Sequence, residues 1–160
     1  MEGHIATYLN DHHAGSVAGV EIAKHLCRLA KVPDLHEKLA AVKSEIEADV
    51  RELEEVMDSL DVAKSSIRRA FAWMSEKATE LKLKADDPEN GPLAMFESLE
   101  VLSLGIEGKH GLWLALRSVA ENVPGLQVAD YVRLAKRAED QREIIEQIRL
   151  AAAKEALSNN

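Results

Sequence analysis

The stretch Leu35-His-Glu-Lys-Leu39-Ala-Ala-Val42-Lys-Ser-Glu-Ile46-Glu-Ala-Asp49-Val-Arg-Glu-Leu53-Glu-Glu-Val56-Met-Asp-Ser-Leu60 decides the fold. Leu35, Leu39, Val42, Ile46, Asp49, Leu53, Val56 and Leu60 succeed one another at alternating steps of four and three. An α-helix gathers residues of that spacing onto one face, and a 3.5-residue period sustained over this length is what antiparallel bundle packing requires. Asp49 is the only charged member of the row. The expected class is therefore all-α, with each helix burying one stripe, and Asp49 needs an explanation.

Upstream, Ile5, Leu9, His12, Ser16, Val20, Ala23 and Cys27 mark a first helix over about 5–30. Val32-Pro33-Asp34 breaks the chain, with Asp34 as the expected N-cap and Glu37 three residues on. So short a connection makes the first two helices an antiparallel hairpin.

Downstream, Asp61 is the expected cap of a shorter third helix reaching about Lys84, its apolar side formed by Ile67, Ala70, Phe71, Met74, Ala78 and Leu81. The stretch Ala85-Asp-Asp-Pro-Glu-Asn-Gly-Pro92 reads as a loop. A fourth helix over about 93–121 carries Phe96, Leu99, Ser103, Ile106, His110, Trp113 and Arg117 in heptad register. Its second stripe, Met95, Leu99, Leu102, Ile106, Lys109, Trp113 and Leu116, gives it two neighbours. Asn122-Val-Pro-Gly-Leu126 turns the chain, and a last helix over about 128–157 carries Tyr131, Leu134, Ala138, Gln141, Ile145, Ile148 and Ala152. Two long hairpins result, joined by a long connection that holds the third helix.

The 160 residues suffice for one domain, 1–160, and 46% hydrophobic content suffices for its core, which must be mainly aliphatic because aromatics are 4%. The net charge of −8, with basic residues interleaved among acids, argues against nucleic acid as a partner, since a phosphate backbone demands a clustered basic surface. Cys27 is the only cysteine, which rules out an intramolecular disulfide and a thiolate metal cluster. The chain opens on no signal pattern, and its longest apolar run, Leu112 to Leu116, is far short of a membrane span. A cytoplasmic, soluble protein without a membrane partner is expected.

Each long helix interrupts its apolar stripe near its centre: His12 with Asp11 beside it, Asp49, Glu107 to His110, and Gln141 with Arg142 beside it. Counted from the two turns at 1.5 Å per residue, partners within a hairpin differ in height by roughly 3 to 5 Å, so they can share one layer. A buried carboxylate without a partner costs several kcal/mol, so Asp49 must be met by a cation or a metal. The first account is a hydrogen-bonded ion layer that fixes helix register, drawn from Asp11, His12, Asp49, Lys109, Glu139, Gln141 and Arg142. The second is a metal site of His12, Asp49, Glu107 and His110.

The topology of two hairpins with a long crossover resembles the ferritin-like fold, a four-helix bundle with an additional helix in the crossover. Tyr8-Leu-Asn-Asp-His-His-Ala-Gly-Ser16 and Leu104-Gly-Ile-Glu-Gly-Lys-His-Gly-Leu-Trp113 are also similar to small, uncharacterised bacterial ferritin-like proteins. That resemblance implies no assigned activity. Di-iron members of the superfamily take a Glu from each of two helices and a Glu-x-x-His from each of the other two. Glu107-Gly-Lys-His110 is the single match, and Glu139 is followed at the same spacing by Arg142, whose guanidinium cannot ligate a metal. On the metal account the resemblance implies Fe or Mn and at most a metal-dependent oxidoreductase or a storage protein.

Adjacent residues on a helix point about 100° apart, so only one of His12 and His13 can face the core, and the stripe selects His12. Gly15 and Gly19 mark a close helix crossing, Trp73 and Trp113 sit on apolar faces, and Glu45, Glu47, Glu52, Glu54 and Glu55 give the second helix an acidic outer side. Ser65, Ser66 and Cys27 have no base at catalytic spacing, and no glycine-rich phosphate loop or nucleophile elbow is present. The expected role is non-catalytic: interaction or self-association as a homodimer, motivated by apolar content left over on the third helix and on the second stripe of the fourth.

Overall fold

The computed structural model describes residues 3–64, the single residue Ala72, and residues 91–158. Among them the regular structure is helical: α1 His4–Leu29, α2 Pro33–Ser59, α3 Pro92–Val119 and α4 Tyr131–Ser158, with 3₁₀ turns at Ala120–Asn122 and Pro124–Leu126. The third helix expected from the sequence, with Trp73, Ser65 and Ser66, lies outside the described residues.

The heptad row of α2 is its buried face: Leu39, Val42, Ile46, Asp49, Leu53 and Val56, with Met57, are in the core. Pro33 opens the helix as its first residue, where a missing N–H is no loss, so Asp34 is not the N-cap but an acidic residue in the first turn, favourable to the helix dipole. Asp61 serves the end of α2, which it closes from a left-handed conformation, φ 51°. The Val62 N–H reaches the Met57 carbonyl at 2.9 Å and the Asp61 N–H the Asp58 carbonyl at 3.2 Å, the paired bonds that satisfy a helix end.

The directions of the helices are fixed by one contact. Ser59 Oγ, at the end of α2, donates to the Gly125 carbonyl at 2.5 Å. The α3–α4 turn therefore lies at the C-terminal end of α2, and α2 and α3 run the same way, with α1 and α4 opposed to them. Gly125 is required there, because a Cβ would stand 2.5 Å from Leu60 Cδ2 and 3.0 Å from the Ser59 carbonyl oxygen. Residues 65–90 join the end of α2 to the far end of α3, a helix about 42 Å long at 1.5 Å per residue.

One aliphatic core runs through all four helices, from Leu9 and Leu26 of α1 to Leu99, Leu102, Ile106 and Leu116 of α3 and Leu134 and Ile145 of α4. Both expected stripes of α3 contribute to it, because α3 packs on α1 and on α4. The second stripe is thereby spent: Leu99, Leu102, Ile106, Trp113 and Leu116 are buried and offer nothing to a partner. Trp113 is core, its indole N–H without a hydrogen-bond partner among the described residues. No described helix is long and apolar enough to cross a membrane.

Candidate functional site: a buried polar layer

Asp49 is 2% exposed, and both of its oxygens are engaged. Lys109 of α3 donates from Nζ to Oδ2 at 2.5 Å. Arg137 of α4 donates to Oδ1 from Nε at 2.9 Å and from Nη2 at 2.5 Å. Gln141, one turn further along α4 and fully buried, donates from Nε2 to Oδ2 at 3.0 Å, and its carbonyl oxygen accepts from Lys109. Three helices thus meet at one carboxylate.

Burial pushes the Lys109 ammonium below the ordinary lysine range, and the charge of Asp49 opposes the shift. The guanidinium of Arg137 is a fixed cation that grips one oxygen from two nitrogens. Chemically the layer is closed: a carboxylate, two cations and an amide that satisfies both signs.

Asp49, Lys109 and Gln141 are legible in the sequence as members of this layer, and the structure brings them together. Arg137 is not among the residues the sequence reading selects. The signal that finds it is the four-residue step back from Gln141, which places both on one face of α4, whereas Arg142 is one residue on and points about 100° away. Arg142 is half exposed and pairs with exposed Glu107 at 3.0 Å. His110 lies 3.4 Å from Glu139, more than half of which is exposed. Glu107, His110, Glu139 and Arg142 therefore line a shallow surface groove between α3 and α4, outside the layer.

The histidines are the reverse of the expectation. His13 is the buried one, 1% exposed, and its Nε2 lies 2.9 Å from Glu54 Oε1. His12 is half-buried with its ring edge-on to Tyr8 at 4.6 Å, and burial lowers its pKa against the pull of Asp11, which is exposed. The stripe misleads because α1 is enclosed over most of its circumference: Leu9, Asn10, His13, Ala18, Ala23 and Leu26 are all buried, and they do not share one face. Buried Asn10 is a further residue the stripe does not single out; its amide donates to the Ala6 and Ala63 carbonyls, tying α1 to the chain leaving α2.

The four residues expected on the metal account, His12, Asp49, Glu107 and His110, do not converge. Asp49 is taken by Lys109, Arg137 and Gln141, while Glu107 and His110 face the groove. Among the described residues no three His, Cys, Asp or Glu side chains gather so as to hold a metal ion. The chain matches no protein-family model, no curated protein and no solved structure.

Proposed function

We propose that this chain is a non-catalytic helical bundle, ferritin-like in arrangement, that acts by self-association as a homodimer, with its polar layer serving structure. The antiparallel hairpins and the parallel course of α2 and α3 support the ferritin-like arrangement. The engagement of both Asp49 oxygens by Lys109, Arg137 and Gln141 supports the structural role, because the carboxylate is already neutralised by side chains of the bundle itself.

The observation that carries self-association is the outward face of α3. Leu104 is 74% exposed there, and Gly105, Gly108 and Gly111 have open space where a Cβ would stand. Glycine inside a helix costs about 1 kcal/mol relative to alanine, and no positive φ or close contact among the described residues calls for it at these positions. A backbone approaching from outside uses such a surface, with Leu104 of one copy seated against Gly108 and Gly111 of the other. Light scattering over a concentration series tests the proposal. A mass of twice the 17.6 kDa chain, reduced to one chain in Leu104→Glu, is expected; a monomer at every concentration contradicts it.

A further inference from the structure

Along the outward side of α3, Glu97, Glu100 and Leu104 are followed at three- and four-residue steps by Gly108, Gly111, Ala115 and Ser118. Such steps keep to one face of a helix, and here it is the face turned away from the core. Leu104, Gly108, Gly111, Ala115 and Ser118 are exposed, and Glu97 and Glu100 are partly so. The row has a direction. Its N-terminal half is built of long side chains, and its C-terminal half of side chains no larger than a hydroxymethyl group.

The two halves also mirror each other in spacing. When the row is reversed about the point midway between residues 107 and 108, Glu97 falls opposite Ser118, Glu100 opposite Ala115 and Leu104 opposite Gly111. Each long side chain then meets a small one, and the open space beside Gly108 and Gly111 is where Leu104 fits. A two-fold axis through that point, perpendicular to α3, performs this reversal on a second copy of the chain, and an isologous interface demands such self-complementarity. Small residues there let the two backbones approach closely.

A parallel pair is unlike this. It sets each residue against itself, so that Leu104 meets Leu104, glycine faces glycine across a void, and Glu97 lies against Glu97 with like charge. Glu107 stands beside the axis in the antiparallel pair and has its counter-charge within the chain, the Arg142 guanidinium at 3.0 Å.

Resting on the self-association proposed above, we infer that two copies join antiparallel through α3. The two-fold axis passes between residues 107 and 108, and the long half of each row seats on the small half of the other.

Cross-linking of introduced cysteines tests the register. Three variants, each with Cys27→Ser, carry Glu100→Cys, Ala115→Cys or both. Positions 100 and 115 lie about 22 Å apart along one helix at 1.5 Å per residue, and a bifunctional maleimide of less than half that reach cannot join them within a chain. In the antiparallel pair each faces the other across the interface, while each is again about 22 Å from its own copy. A covalent dimer is expected as the main product of the double variant and as no more than a trace from either single variant. The pair Glu97→Cys with Ser118→Cys, also opposite each other, gives the same reading without altering Glu100 or Ala115. Covalent dimer from the single variants as readily as from the double would mean a parallel pair and would overturn the register. So would the absence of cross-linking in both double variants while light scattering gives twice the chain mass, which leaves self-association standing on another face. A single-chain mass for the parent would end both readings.

Discussion

Lys109 Nζ on α3 lies 2.5 Å from Asp49 Oδ2 on α2 and also donates to the side-chain carbonyl of Gln141 on α4. One ammonium, its side chain 10% exposed, therefore links three helices from inside the core. Such a group is tolerated only while its partner is present. Replacing Asp49 by Ala leaves Lys109 and the Gln141 amide without their acceptor and adds a void, so a loss of about 3–5 kcal/mol is expected from urea unfolding. A loss below about 1 kcal/mol would show that the layer is far more hydrated than its burial implies.

Asp61 holds a left-handed backbone at the end of α2, a conformation that costs an L residue and not glycine. Asp61→Gly should raise stability by about 0.5–1 kcal/mol, part of the gain being offset by a more flexible unfolded chain. Thermal melting of the variant checks it, and a lowered midpoint would mean that the aspartate side chain contributes more than its backbone strain removes.

Gly125 is needed for space, since its φ is not positive. In Gly125→Ala the leucine end of Leu60 can turn aside, but the Ser59 carbonyl, 3.0 Å from the new Cβ, is fixed at the helix end. A loss of about 1–3 kcal/mol is expected, with the Ser59–Gly125 bond weakened. An unaltered urea midpoint would show that the turn shifts freely and does not pin α2.

Tyr131 is 5% exposed, its hydroxyl donating to the Leu126 carbonyl at 2.7 Å, and burial pushes its pKa up from 10.0 to about 12. The folded state holds this proton where the unfolded state releases it, so the contribution is complete below pH 10 and is lost as pH rises towards about 12. Tyr131→Phe should cost about 1 kcal/mol near neutral pH, and the gap between variant and parent should narrow as pH rises above about 10. A gap that stays constant into the alkaline range would contradict the assignment.

Much of the fold is legible in the sequence because α2, α3 and α4 each bury a face whose period can be counted. The Leu39–Val56 row is the clearest case, and Asp49 stands out as its one charged member. α1 is harder to read because it is enclosed nearly all round, so apolar spacing no longer distinguishes in from out and points to His12 where the structure buries His13. At the helix ends, Pro33 and a left-handed Asp61 take positions that composition assigns to side-chain caps. Within the layer, Arg137 is hidden because arginine is ordinary on a surface helix. The four-residue step to Gln141 places it on the right face, and the bond to Asp49 shows that its head group turns inward.

The most direct test of the central claim, that the polar layer is structure and not a reactive site, is equilibrium urea unfolding of the triple variant Asp49→Leu, Lys109→Met and Gln141→Leu. Together these remove the carboxylate, the buried cation and the amide that depend on one another, and leave Arg137 able to turn to Glu52, 3.9 Å away. Buried ion clusters replaced as a set by apolar residues are often neutral or stabilising by about 1–4 kcal/mol. A midpoint at or above the parent's, with the parent's mass by light scattering, is predicted. A midpoint as low as that of Asp49→Ala alone would contradict the account, because the layer would then contribute something a packed core cannot supply.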